Sequence, residues 1–160
     1  MLQKILLAIG DSPDSERVFA AGLTLAEKFG AEMLLLHIIN PSTPTGFSPL
    51  VGGMFPIVND VVLEQYAKEW KEYEQTGIDR LQTYAEQAKE RGVRVEVSQN
   101  LGNSGSMICE VAKNWSADTI VMGRNQKSML SEVFLGSTSN YVMHHAACSV
   151  MVIQLPALSS

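Results

Sequence analysis

The sequence predicts a doubly wound, open, parallel five-stranded α/β sheet with helices on both faces. Three observations carry that expectation. Ile5–Ile9, Met33–Ile39 and Thr119–Met122 are nearly unbroken apolar runs, the pattern of strands covered on both sides. Segments with helical periodicity fill the intervals, so the order reads β-α-β-α-β-α-β-α-β, which closes into a parallel sheet with right-handed crossovers. Val93–Gln99 alternates valine with Arg94, Glu96 and Ser98, as a strand with one wetter face does, which puts it at a sheet edge.

The 160 residues are the size of one domain, 1–160, and the 46% apolar content gives that domain material for a core. A formal charge of −5 argues against a broad grip on nucleic acid, because such binding needs Lys and Arg to displace counterions from phosphate. The start, from Met1 to Lys4 and into a short apolar stretch, has no h-region or cleavage site, and no apolar run is long enough to span a bilayer. No membrane partner is therefore expected, and the cytoplasm is the expected compartment. Cys109 and Cys148 have no His or Cys neighbour at ligand spacing and read as buried thiols.

Along the chain, the first helix opens with Ser12 as its cap, Pro13 in its first turn, and Asp14 and Glu16 at its positive end. Its inner face is expected to be Val18, Gly22, Leu25 and Phe29, and Gly30 stops it. The stretch Asn40–Asn59 is too rich in proline and glycine to be regular and reads as a lid or surface loop. A longer helix carries Tyr66, Trp70, Tyr73, Leu81, Ala85 and Ala88 at steps of three or four, with Trp70 expected in the core, and ends before Gly92. Ile108, Val111, Ala112 and Trp115 share one side of the third helix; the fourth runs from about Ser137 to Ala147; and Val150–Ile153 is the fifth strand.

In such a sheet, ligands sit at the carboxyl ends of strands where the strand order reverses. The candidate positions are Gly10-Asp11, Ile39-Asn40, Leu101-Gly102 and Gly123-Arg124. The fourth helix opens with Gly136, Ser137, Thr138, Ser139 and Asn140 and has no acid in its first turn, so its unpaired N–H groups suit an anion. Gly136 allows close approach, Ser137 and Thr138 donate hydroxyls, and Arg124 and Lys127 supply charge. Local sequence supports equally a helix that Ser137 merely caps, with solvated basic residues. His37 lies in an apolar strand with no carboxylate near it in sequence and reads as a core histidine. His144 and His145 point about 100° apart on a helix and have no third metal ligand. Asp118 reads as a turn residue.

The segment Ala117-Asp118-Thr119-Ile120-Val121-Met122-Gly123, followed by Leu135-Gly136-Ser137, resembles the C-terminal signature of universal stress proteins. The likeness extends to Ser12, Ser15-Glu16-Arg17, His37, Gly102, Ile108 and Cys148-Ser149-Val150, and covers nearly the whole chain except Asn40–Asn59. It implies the adenine nucleotide α-hydrolase-like version of the predicted fold and an ATP or other adenine-nucleotide site. In that site the adenine would rest near Ile9, Ile38 and Met122, with Ala8, Gly10 and Asp11 beside it. The phosphates would meet Gly123, Arg124, Asn125, Gln126, Gly136, Ser137 and Thr138, accompanied by Mg²⁺ or Mn²⁺. Two positions depart from the family pattern. Gly10 stands where the family has an acid, with the carboxylate one place later at Asp11, and Gln126 replaces the second glycine of the signature.

Three functions follow from this reading. The first is a stress-response regulator that holds an adenine nucleotide. The second is a dimeric interaction protein without nucleotide, which Gln126 favours. The third is a slow ATPase, for which Asp11 and Ser137 are the only candidates to position water. No Ser-His-Asp order, carboxylate pair or complete P-loop supports faster chemistry. The apolar edge Ser149–Gln154, together with the family likeness, implies a homodimer with Val150 and Val152 near the two-fold axis.

Overall fold

The computed structural model describes residues 2–41, 60–124 and 136–154. The elements follow the expected order: β1 Lys4–Ala8, α1 Ser15–Phe29, β2 Glu32–Ile39, α2 Asp60–Glu90, β3 Val95–Leu101, α3 Ser104–Trp115, β4 Thr119–Gly123, α4 Ser137–His145 and β5 Ser149–Ile153. All strands are parallel in the order β3-β2-β1-β4-β5, with β3 at one edge as its alternation indicated and β5 at the other. The sheet grows outward from β1 in both directions, so the order reverses between β1 and β4.

Two apolar layers sandwich the sheet. On one face, Ile5, Leu7, Met33 and Leu35 meet Val18, Phe19 and Leu23 of α1 and Leu81, Tyr84 and Ala88 of α2. On the other, Leu6, Leu34, Leu36, Ile120 and Met122 meet Ile108 and Ala112 of α3 and Val142 of α4. Adjacent residues of β1 thus feed opposite layers, as the pleat requires. Rings of Phe19 and Tyr84 stack at 4.4 Å and join α1 to α2.

Several local expectations give way to the packing. Ser12 does not cap α1: Asp14 occupies the cap position without a side-chain bond, and the Ser12 hydroxyl instead receives the Asp14 N–H at 3.2 Å in the preceding turn. The buried face of α1 is Val18, Phe19, Gly22, Leu23 and Ala26, while Phe29 is 51% exposed, because the helix meets the sheet about a sixth of a turn away from the stripe inferred from the sequence. Trp70 is only partly buried and donates to Glu74 Oε1 at 2.7 Å, since the core contacts of α2 begin at Gly77. Cys109 and Cys148 are free thiols, partly rather than fully buried, and burial raises both. Asp118 is a turn residue whose Oδ2 receives the Gln3 and Lys4 N–H groups at 2.8 Å each. Of the stretch 40–59, residues 42–59 lie outside the described residues.

Gly22 is where α1 comes closest to the sheet, and a Cβ there would run into the side chain of Leu7, which is itself fully buried. Leu7 has no room to retreat, so Gly22→Val is expected to cost about 1–3 kcal/mol through overpacking. Urea denaturation measures this; an unchanged midpoint would mean that the α1–β1 contact yields.

Candidate functional site

A cleft of about 530 Å³ opens at the carboxyl end of the sheet, astride the reversal point between β1 and β4. Its lining joins Ala8, Ile9, Gly10 and Asp11 after β1, Ile38 of β2, Met122, Gly123 and Arg124 at the end of β4, and Thr138 of α4. These residues come from four separate stretches of the chain. Gly136 and Ser137 stand at the opening of the same helix but not in the lining, and Asn125 and Gln126 lie outside the described residues.

Two further lining residues come from stretches that the sequence had singled out: Asn40, just past β2, and Ser139 of α4. Others were not assigned to the site from sequence: Ser12, Asp14, Ser15 and Val18 from the turn into α1 and its first turn, Leu36 and His37 from β2, and Ser104 and Ile108 from α3. The signal for most was positional: each sits at, or one turn beyond, a strand's carboxyl end, where Leu101-Gly102 had already directed attention to the start of α3. His37 was masked by its apolar neighbours.

The cleft has an apolar part and a polar part. Ile38, Leu36, Ile108 and Met122 give it apolar walls. Gly136 holds the cap position of α4 itself, so Ser137 is the first helical residue and not the cap. That helix has no side-chain cap bond and no acid in its first turn, leaving its positive end unneutralised by its own residues. Thr138 and Ser139 reach the cleft from this turn. A Cβ at Gly10 would meet nothing within 4 Å.

Below the β1–α1 turn lies a network that the sequence did not reveal. His37, 2% exposed, approaches Asp11 Oδ1 through Nε2 at 3.0 Å and Gln99 Oε1 through Nδ1 at 2.8 Å. From α2, Tyr73 donates its hydroxyl to Asp11 Oδ2 at 2.6 Å, and Arg80 Nη1 donates to Asp11 Oδ1 and to the Gly10 carbonyl, both at 3.1 Å. Ser15 Oγ donates to the same carbonyl at 2.6 Å. Gly77 makes this approach possible, because a Cβ there would collide with Gln99 Oε1 and come within 2.9 Å of His37 Nδ1.

The electrostatics follow from these contacts. The hydrogen bond from His37, opposed by burial and reinforced by Tyr73 and Arg80, holds Asp11 well below the usual carboxylate range. Burial alone would push the His37 imidazolium down, but its bonds to Asp11 and Gln99 and the Asp11 charge outweigh that, and the ring lies above its ordinary 6.5. Burial and the bond to Asp11 push Tyr73 up to about 12. Elsewhere, His145 is engaged with the Tyr141 carbonyl at 2.8 Å and stacks on the Tyr141 ring. Among the described residues, no three His, Cys, Asp or Glu side chains converge to hold a metal ion, and no helix is long and apolar enough to cross a membrane.

Fold and cleft together define a doubly wound α/β protein with its pocket at the strand-order reversal, the class of site in which such sheets bind small ligands. The model of the universal stress protein family matches residues 1–154, and the chain belongs to that family. It is similar to Universal stress protein Sll1388 of Synechocystis, with 33% identity over 159 residues, covering 94% of this chain and 97% of the relative. In structure it resembles universal stress protein UspA from Lactobacillus plantarum at a TM-score of 0.67 and 23% identity, covering 95% and 97% of the two chains. It also resembles a universal stress protein solved in complex with cAMP at a TM-score of 0.63 and 19% identity, covering 96% and 97%.

The His37–Asp11 pair gives stability a pH signature with two limbs. The depressed Asp11 contributes stability that is present above its ordinary 3.8 and lost as pH falls through its folded value. The raised His37 contributes stability that is fully present below 6.5 and lost as pH rises through its folded value. Unfolding free energy from urea titrations is expected to plateau between about pH 4 and about 6.5 and to decline on both sides, and Asp11→Asn is expected to flatten the alkaline limb.

Proposed function

We propose that this protein is a regulatory universal stress protein that holds an adenine nucleotide, ATP foremost, in the cleft between β1 and β4. The observation that carries the reading is the pairing, in one cavity of about 530 Å³, of apolar walls with the acid-free start of α4. A purine gains from burying its faces against Ile38, Ile108 and Met122, while phosphate gains from the dipole, the N–H groups and the hydroxyls at a helix N-terminus. Ile9 and Ala8 extend the base-binding side, and Gly10 lets the backbone pass close to the sugar. Arg124, Thr138 and Ser137 serve the phosphates, with Gly123 and Gly136 leaving room for them and Asn125 and Gln126 completing the loop in sequence. The structural neighbour solved in complex with cAMP supports an adenine nucleotide as the ligand.

A divalent ion, Mg²⁺ or Mn²⁺, would arrive on the phosphates and keep most of its water, since the described residues offer no cluster of three metal-binding side chains. Among the described residues of the cleft none forms a nucleophile held by a base: Ser15 Oγ is committed to the Gly10 carbonyl, and the Asp11 carboxylate to His37, Tyr73 and Arg80. Storage and signalling therefore suit the site better than turnover. Pairing of two copies along β5, from Ser149 to Gln154, in the cytoplasm completes the reading; Val150 and Val152 of that edge strand are partly buried and Met151 is 40% exposed.

Two measurements test it. ATP with Mg²⁺ at a hundred times its Kd is expected to stabilise the fold by about 2.7 kcal/mol in a thermal-shift titration, and Thr138→Asp, which puts a carboxylate at the helix start, is expected to weaken binding more than about tenfold. No shift with ATP, ADP or cAMP would defeat the proposal. Gly10→Asp, which places an acid where there is open space, is expected to leave the melting temperature of the free protein unchanged while tightening ATP binding; calorimetry reads the second effect.

A further inference from the structure

We infer that His37 is a buried imidazolium whose charge sets the affinity of the cleft for anionic nucleotides, so that the protein releases its ligand as pH rises. This deepens the nucleotide reading and rests on it. Gln99 fixes the state of the ring: its Nε2 donates to the Glu74 carbonyl at 3.0 Å, and a carbonyl can only accept, so Oε1 is the atom turned to His37 Nδ1. The other ring nitrogen faces a carboxylate oxygen of Asp11 at 3.0 Å. Both partners are acceptors, and only a ring protonated on both nitrogens satisfies both. A neutral tautomer would set a lone pair against either the amide oxygen or the carboxylate at a site that is 2% exposed.

The surroundings are otherwise fixed. From the β1–α1 turn comes Asp11; from α2 come Tyr73, Arg80 and the Glu74 carbonyl; from β3 comes Gln99. Of these, Arg80 alone opposes the imidazolium, and it is itself paired with Asp11 at 3.1 Å. His37 and Asp11 both line the cleft, together with Asp14 and Arg124. Loss of the His37 proton leaves Asp11 less compensated and makes the cleft one unit more negative, in a chain already at −5. One unit charge acting across a partly solvated cleft changes the affinity for an anion roughly fivefold.

The test uses the intact protein in two arms. In the ligand-free protein with ¹⁵N-labelled histidine, NMR is expected to show both His37 nitrogens protonated at neutral pH and a titration midpoint above 6.5. A single neutral tautomer at neutral pH would overturn the inference. In calorimetry from about pH 6.5 to about 9, ATP with excess Mg²⁺ is expected to lose roughly fivefold in affinity, with the midpoint that NMR reports, while uncharged adenosine keeps its affinity. His37→Gln is expected to give a flat profile for ATP. Should that variant not fold, Gln99→Met, which removes one acceptor, is expected to lower the NMR and affinity midpoints together. Constant ATP affinity through the His37 midpoint overturns this inference and leaves the nucleotide reading intact. Absence of binding at every pH removes both, even though the NMR arm still reports the His37 charge.

Discussion

The structure depends on β1 being hydrogen-bonded along both edges. Because β2 and β4 pair with it in parallel, the chain must leave β1 toward one side and return to the other, and the two directions of growth part at its carboxyl end. The helices that follow β1 and β4 then pack on opposite faces of the sheet, and the cleft opens between their first turns. The cleft is the geometric result of that divergence. The strand itself is built for the position: Ile5, Leu6 and Leu7 are all 0% exposed, and no polar side chain interrupts them. Burying three such side chains contributes on the order of 5–9 kcal/mol before entropy is counted. The least replaceable stretch of the core and the floor of the site are therefore one continuous piece of backbone.

Legibility followed the range of the interactions involved. Element order, the edge position of β3 and the acid-free start of α4 were readable because each is written in neighbouring residues: unbroken apolar runs, the valine alternation, and the Gly136-Ser137-Thr138-Ser139 cluster. The cap of α1 was misread because Ser12 and Asp14 are both good caps, and the turn geometry, not the residue type, decided between them. Trp70 was misread because helical periodicity continues along α2 past the point where the sheet ends. The network around His37 was invisible for a different reason. The two direct partners of His37 lie 26 and 62 residues away from it, and nothing local at Asp11, Tyr73 or Gln99 advertises the others. Gly77 was the only possible hint, a glycine in mid-helix whose cost must be offset by close packing.

The network changes what Asp11 can do. A carboxylate has about four acceptor positions, and His37, Arg80 and Tyr73 already occupy three of them. Its charge is taken up in holding the floor of the cleft together, while the adjacent Gly10 presents open space. Asp11 therefore braces the β1–α1 turn, and the room beside it is left unoccupied by its side chain. The Gly10 carbonyl, fixed by both Ser15 and Arg80, shows how firmly that turn is held.

The length of α2 gives this bracing a mechanical side. Its 31 residues extend about 46 Å, whereas the eight residues of β2 rise about 26 Å, and its core contacts are confined to Gly77 and beyond. Tyr73 and Arg80 grip Asp11 at the boundary between the anchored part and the remainder, where Val61 and Leu63 are exposed. Tyr73 is thus tied to the pocket by a hydrogen bond and Arg80, two turns on, by an ion pair. The two ties share one carboxylate, so a displacement of the helix at this boundary is felt first at the floor of the cleft.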